Sequence, residues 1–271
     1  MKIKILSDST CDLPAQMLEK YNISLVPLTV VKDGQEYKDG ITITPANIFE
    51  HVAAGGELCS TSAANIGEYT DIFEKYAGEY DAVIHINLGS GFSTCYQSAC
   101  LAAEEFENVR VIDSKNLTAG QGFVVLKACE LAETMDDLDA IVEELNAFTE
   151  KVEVSFVVDK LDYLVKGGRC SSAAALGANL LGLKPCIEVK YRGNYAKCLT
   201  TYVKERLEGR EDIDRSKGFV IQTVVSEECY NGVLEAVNTY GNFETVYEST
   251  AGCTISCHCG PGTLGILFLR K

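Results

Sequence analysis

The 271-residue chain has no apolar run long enough to span a bilayer, and its opening segment does not resemble a secretory leader: Met1-Lys2-Ile3-Lys4-Ile5-Leu6 turns polar at Ser7. A cytoplasmic protein without stable membrane insertion is therefore expected. Positive charge is also scarce, with 24 Lys and Arg against 39 Asp and Glu, a net charge of −15. That balance argues against nucleic acid and anionic membrane surfaces as partners, since both need a positive face. The Gly-x-Ser-x-Gly elbow of many hydrolases is missing, as are internal repeats and any low-complexity linker.

What is present points to a substantial core. Hydrophobic residues make up 46% of the chain, enough for one large domain or two of ordinary size. The 12 cysteines are scattered, and several (Cys100, Cys129, Cys186) sit inside apolar segments. Without a secretory signal they read as reduced thiols serving as small core residues, not as a disulfide scaffold. Charge is unevenly spread. Residues 151–217 hold 13 Lys and Arg and 9 Asp and Glu, a local balance of +4, so the remainder carries −19. Such a basic region suits a solvated face or the docking of an acidic partner or phosphate.

The first half alternates strand-like and helix-like segments. Ile3–Ser7 and Ile23–Val31 read as strands around a helix from Pro14 to about Tyr21. Thr44-Pro45 starts a helix, and another carries Ile66, Tyr69, Phe73 and Tyr76 on one face. Then come a strand at Ala82–Leu88, a helix from about Ser93, a strand at Val109–Ile112, a glycine-rich loop and two helices. This pattern predicts an α/β domain with a parallel sheet covered on both faces, over residues 1–153. Beyond about residue 150 the segments Val152–Val158, Ile187–Tyr191 with Tyr195–Leu199, Gly218–Val225, Phe243–Tyr247 and Ile266–Arg270 are strand-like. Arg192-Gly193-Asn194 reads as a hairpin turn. Residues 154–271 are thus expected to form an α+β domain with a mixed or antiparallel sheet.

The most informative stretch is Ile86-Asn87-Leu88-Gly89-Ser90-Gly91-Phe92-Ser93-Thr94-Cys95-Tyr96. A strand running into a helix through glycines and hydroxyls presents N–H groups at the positive end of a helix dipole, a place that favours an anion. The loop has no Lys, Asp or Glu, so it reads as a holding site and not a reaction centre. Four more hydroxyl- or cysteine-rich segments share this character: Ser7-Asp8-Ser9-Thr10-Cys11-Asp12, Cys59-Ser60-Thr61-Ser62, Asp113-Ser114-Lys115-Asn116-Leu117-Thr118 and Cys257-His258-Cys259-Gly260-Pro261-Gly262. Loops after parallel strands gather at the carboxyl edge of a sheet and build its ligand crevice.

Together these segments resemble the DegV family of bacterial fatty-acid-binding proteins, essentially from end to end. The resemblance also includes Gly120-Gln121-Gly122, Leu161-Asp162-Tyr163-Leu164-Val165-Lys166-Gly167-Gly168-Arg169 and Leu183-Lys184-Pro185. It implies a two-domain, non-enzymatic protein that holds one long-chain fatty acid and needs no other cofactor. It implies further that the carboxylate is shown to a fatty-acid kinase of the dihydroxyacetone-kinase-like type, which makes an acyl phosphate for phospholipid synthesis. The matching lipid-binding positions are Thr61, Ser62, Ser93, Thr94 and His258, and the partner-contact positions are Lys166 and Arg169. Two departures stand out: Ala63-Ala64-Asn65 follows Thr61-Ser62 where many relatives carry Gln-Pro-Ser, and cysteines at 95, 257 and 259 replace small or hydroxyl residues. The physics suits the implied ligand. At about 0.8 kcal/mol per buried CH₂, a tail of ~14 methylenes offers on the order of 11 kcal/mol of gross burial, while hydroxyl donors orient the anion.

Two other functions compete. A hydrolase with Ser93 as nucleophile and His258 as base also needs an orienting acid and an oxyanion hole. A metal site built on Cys253, Cys257, His258 and Cys259 lacks Cys-x-x-Cys spacing, and adjacent side chains diverge if the segment is extended. His51, beside Ile48, Phe49 and Val52, and His85, in mid-strand, read as structural.

Overall fold

The computed structural model of the protein describes residues 1–169, 186–187 and 194–271. The chain opens in β1 (Ile3–Asp8), buried from Lys4 onward, followed by a 3₁₀ turn at Ser9–Cys11 and α1 (Ala15–Lys20). The apolar run 23–31, expected as one strand, is divided into β2 (Ser24–Val26) and β3 (Thr29–Lys32). Pro27 stands at the break, where its missing N–H interrupts a ladder. A hairpin absent from the sequence expectations joins β3 to β4 (Gln35–Lys38) through Asp33-Gly34, both at positive φ, the conformation that such two-residue turns demand.

Thr44 and Asn47 form a reciprocal capping box at the start of α2 (Pro45–Ala53). The short β5 (Ser60–Ser62) pairs with the other edge of β3, setting Thr61 opposite Val30. Asn65 and Glu68 repeat the capping box at α3 (Ile66–Ala77). The fully buried β6 (Ala82–Asn87) leads to α4, which runs Cys95–Ala103 and so starts two residues later than expected. After β7 (Val109–Asp113) come α5 (Thr118–Thr134) and α6 (Leu138–Thr149). Gly120-Gln121-Gly122, expected as a loop, lies inside α5. The glycines serve close packing there: a Cβ on Gly120 would sit 2.4 Å from the Val154 side chain, and one on Gly122 2.8 Å from Leu13.

The second half holds β8 (Val152–Val157), α7 (Asp162–Lys166), β9 (Cys186–Ile187), α8 (Tyr195–Leu207), β10 (Ile213–Gln222), α9 (Glu227–Gly241), β11 (Thr245–Thr250), α10 (Cys253–Cys259) and β12 (Leu264–Arg270). The expected strand Tyr195–Leu199 is instead the first part of α8. The Asn194 side chain caps it by accepting from the Lys197 N–H, and Cys198, Leu199, Tyr202, Val203 and Leu207 are buried at helical spacing. Leu183-Lys184-Pro185, residues 188–191 and Arg192-Gly193 lie outside the described residues. His258 and its neighbouring cysteines, read from sequence as a loop, belong to the helix α10.

One sheet is wholly parallel, in the order β2-β1-β6-β7; a second is mixed, in the order β11-β10-β12-β8-β9; a small antiparallel one runs β4-β3-β5. The fold is α/β, with a parallel N-terminal sheet and a mixed C-terminal one. The 153/154 boundary drawn from sequence falls inside β8, which pairs with β12. Both halves share one apolar core, in which Phe123 of α5 meets Phe219 of β10 edge-on at 4.9 Å.

Candidate functional site

Strand order reverses between β1 and β6, the position where open α/β sheets usually take a ligand. Here the chain fills it with its own carboxylate. Buried Asp8 accepts from the Tyr69 hydroxyl at 2.7 Å, the Leu88 N–H at 2.7 Å and Asn87 Nδ2 at 3.1 Å, and pairs with His85 Nε2 at 3.1 Å. Burial beside this carboxylate pushes the Tyr69 hydroxyl far above its usual range. Further hydroxyls of the first loop are also used internally. Thr10 donates to Gln121 Oε1 at 2.8 Å, Ser7 donates to the Ile86 carbonyl at 2.9 Å, and Ser9 donates to Asp39 at 3.1 Å.

The glycine loop after β6 is similarly occupied along its first part. Ser90 donates to Asp113 through its N–H at 3.0 Å and its hydroxyl at 2.6 Å, and the Gly89 N–H reaches the Asn116 carbonyl at 2.8 Å. Gly89 is required by contact: a Cβ would stand 2.9 Å from the Asn116 nitrogen. The anion-favouring N–H groups inferred from the sequence are thus partly answered by Asp8 and Asp113. Ser93 and Thr94 close the loop, half-buried and exposed respectively. Ser93 Oγ donates to Cys95 Sγ at 3.1 Å, and the Cys95 thiol in turn meets the backbone of Ala64, just past Thr61-Ser62. The Ser93 loop and the β5 segment are therefore coupled through one sulfur. Ser62 is exposed at the end of β5.

Thr61 Oγ1 and His258 Nε2 lie 2.8 Å apart although 197 residues separate them. Burial first, and Arg169 second, hold the His258 imidazole down at about 4, so the ring is neutral at neutral pH. Its other nitrogen, Nδ1, is buried without a hydrogen-bond partner among the described residues. Gly167 presses against that nitrogen so closely that a Cβ there would lie 2.2 Å away. Among the described residues no carboxylate orients the ring, and Ser93 is bonded to Cys95, not to His258. The triad a hydrolase needs is not assembled by these residues. Cys253, Cys257 and Cys259 are buried in α10, and among the described residues no three His, Cys, Asp or Glu side chains gather as metal ligands.

Sequence reading missed what holds α10 in place. Asp39 accepts from the Cys253 N–H at 2.9 Å, the Thr254 N–H at 3.1 Å and the Thr254 hydroxyl at 2.7 Å. Asp12 accepts from the Gly252 N–H at 2.9 Å and the Thr118 hydroxyl at 2.6 Å. Burial raises Asp12 to about 8 against the opposite pull of those donors. Two acids of the first half thus supply acceptors for the N–H groups at the start of a helix of the second. Asp39, a lone acid between Lys38 and Gly40, gave no sequence signal of this.

Through Ile255 and Cys259, α10 borders an apolar cavity of about 20 Å³ that is also lined by Leu117, Val154, Phe156, Ile221 and Leu267, among others. It lies between α5, α10 and the mixed sheet. The cavity has room for about one water, so a longer body enters only by parting its walls. These lining residues also escaped notice, because in sequence each is an ordinary core position.

The basic region is now resolved into two parts. Arg206 and Arg210 pair with Glu153 at 2.5 and 2.6 Å, and Arg215 donates to carbonyls that include those of Arg210 and Tyr240. Lys166 and Arg169 are exposed at the end of α7, where Arg169 donates to the Gly167 carbonyl at 2.7 Å. Arg169 is close enough to His258 to disfavour its protonation.

A protein-family model described as an uncharacterised protein, DegV family, matches residues 2–271. Protein DegV of Bacillus subtilis is 33% identical, with all of both chains covered. Among solved structures, a DegV family protein from Thermus thermophilus, described as fatty-acid-binding, superposes with a TM-score of 0.86 at 28% identity, covering all of both chains. The Streptococcus pneumoniae fatty acid kinase B3 protein, solved loaded with linoleic acid, has the same fold at a TM-score of 0.81 and 20% identity, again over both whole chains. With its parallel and mixed sheets bridged by α5 and its motifs spread over the whole chain, this protein belongs to the DegV family.

Proposed function

We propose that the protein binds one long-chain fatty acid, with the carboxylate at Thr61, Ser93 and His258 and the tail between α10, α5 and the mixed sheet. The observation that carries this reading is the Thr61–His258 pair, a half-buried hydroxyl and a neutral imidazole side by side, with His258 on the helix that also walls the apolar cavity. A carboxylate oxygen that replaces their mutual bond meets two donors at once, and hydrogen bonds to a charged acceptor are roughly twice as strong as neutral ones. Ser62 and Thr94 flank the two loops and complete the set of hydroxyls near the head group. The fatty-acid-binding description of the Thermus thermophilus relative supports the ligand class.

The two halves, 1–153 and 154–271, divide the work in this reading: the first supplies the hydroxyl loops, the second His258 and most of the tail walls. We assign presentation of the bound carboxylate to a fatty-acid kinase to the same face, with Lys166 and Arg169 as the cations that meet the partner or its nucleotide phosphates. Their exposure beside His258 supports this, as does the shared fold of the pneumococcal fatty acid kinase B3 protein. No helix of the described residues is long and apolar enough to cross a bilayer.

Native mass spectrometry of protein purified from bacteria, followed by solvent extraction, tests the proposal. A single long-chain fatty acid per chain is expected. A mass equal to the bare chain, together with no uptake of palmitate or oleate by delipidated protein, overturns it.

A further inference from the structure

Cys59 and Cys257 are far apart in the chain, yet the fold packs them into the same small buried cluster, with Val30, Ile43, Ile48 and Cys253. Cys59 is two residues before Thr61, and Cys257 is next to His258. The 2.8 Å contact between Thr61 and His258 therefore fixes the register in which the two thiols meet, and α10 packs directly on β5. Nearby thiols are engaged elsewhere: Cys253 Sγ donates to the Ile43 carbonyl at 3.2 Å, Cys95 takes the Ser93 hydroxyl, and Cys259 lines the apolar cavity.

We propose that Cys59 and Cys257 are a disulfide-forming pair which, once oxidised, ties β5 to α10 beside the head-group site. The oxidant is a small-molecule disulfide. Cys59 is the attacking residue, being the more exposed of the two at 8% against 3%. Burial holds the Cys59 thiol up, an effect that Lys32 offsets in part and Asp33 adds to, whereas burial, Cys59, Cys253 and Asp39 all disfavour the Cys257 thiolate. The Cys59 thiolate forms a mixed disulfide and expels one small thiolate. Cys257 then gives up its proton to solvent, attacks the Cys59 sulfur and expels the second. Two protein thiols become one disulfide, and the small disulfide is reduced to two thiols. Because burial raises both thiols, this reaction is slow at neutral pH and faster in mild alkali.

The consequence rests on the proposed fatty-acid reading. An alkyl chain enters or leaves only if the walls of the narrow seam part, and α10 is one of those walls. A covalent tie from α10 to β5 hinders that movement, so oxidation traps whatever the pocket holds.

The test uses the full chain, loaded with oleate and treated with oxidised glutathione, then alkylated and digested without reductant. Expected are a peptide cross-linked through Cys59 and Cys257, a mass lower by two hydrogens, and release of oleate to acceptor vesicles slowed at least tenfold. Dithiothreitol should restore the rate, and Cys59→Ser should make release insensitive to the oxidant. Full alkylation of both cysteines after treatment, or pairing of either with Cys253, overturns the disulfide. A mapped Cys59–Cys257 bond with unchanged release overturns the trapping. Failure of the reduced protein to take up oleate overturns the fatty-acid reading instead, and leaves the mapping to decide the disulfide.

Discussion

Two histidines meet hydroxyls or carboxylates in the N-terminal half, and they differ in what surrounds them. His85 is fully buried and pairs with Asp8, which also takes the Tyr69 hydroxyl, the Asn87 amide and the Leu88 N–H. His258 has one hydroxyl partner and, among the described residues, no acid to orient it, while the Nδ1 of both rings is buried without a partner. A buried carboxylate that gathers four donors fixes a fold, because removing it leaves all of them desolvated. A pair that satisfies only part of its capacity at the edge of a crevice can exchange its partner for a ligand. The first network is scaffold; the second is the site we propose.

The comparison can be broken most sharply at Asp8. Asp8→Ala leaves Tyr69, Asn87, His85 and Leu88 without their acceptor, and a loss of about 4 kcal/mol of stability is expected at roughly 1 kcal/mol per donor. Urea unfolding measures it, and a loss below 1 kcal/mol would remove the scaffold role. Thr61→Val is expected to have the opposite profile, with stability within about 1 kcal/mol of wild type and fatty-acid affinity weaker by about 1.5–3 kcal/mol. Ser93→Ala should behave likewise. Titration with a fatty alcohol sharpens the result: its uncharged head should show much less difference between variant and wild type.

Gly167→Ala comes next. The added methyl must displace the His258 ring, since the space is already filled to 2.2 Å. A five- to tenfold loss of oleate affinity is expected, with little change in unfolding midpoint; equal affinity would mean that the ring does not meet the head group. The pH dependence separates two buried groups of opposite sign. Folded His258 stays neutral down to about 4 while the unfolded chain takes its proton near 6.5. Its contribution is complete above about 6.5 and is lost as pH falls towards 4. Asp12, raised to about 8, contributes most below about 3.8 and loses that contribution as pH rises through 8. Differences in stability between wild type and His258→Gln, and between wild type and Asp12→Asn, should therefore slope in opposite directions. Arg169→Ala should have the smallest effect on binding, leaving oleate affinity within about twofold while reducing acyl-phosphate yield with a competent kinase. Equal loss of both would assign Arg169 to the pocket.

Much of the architecture was legible because its signals are local. Continuous apolar strands, helical spacing in α3 and the Thr44-Pro45 start each depend on a few neighbouring residues. The segment 195–199 misled because five residues are too few to separate a strand from a helix; the period of α8 shows only when Tyr202, Val203 and Leu207 are included. Gly120 and Gly122 misled for a different reason. Their use is to let α5 approach Val154 and Leu13, and nothing beside them in the chain records that approach.

The same division holds for the site. The residue types at Thr61, Ser93 and His258, and the absence of charge in the loop after β6, were set by the sequence, since a side chain's capacity to donate a hydrogen bond is intrinsic to it. Which of the many hydroxyls remain for a ligand was decided by tertiary structure. Ser7, Ser9, Thr10 and Ser90 are taken by Ile86, Asp39, Gln121 and Asp113, pairings across the fold that no local pattern encodes. The meeting of Thr61 with His258 is likewise a property of packing. Asp39 and Asp12 cap α10 from the other half of the chain, because a helix end leaves N–H groups that some acceptor must satisfy, and only the folded chain determines which one is within reach.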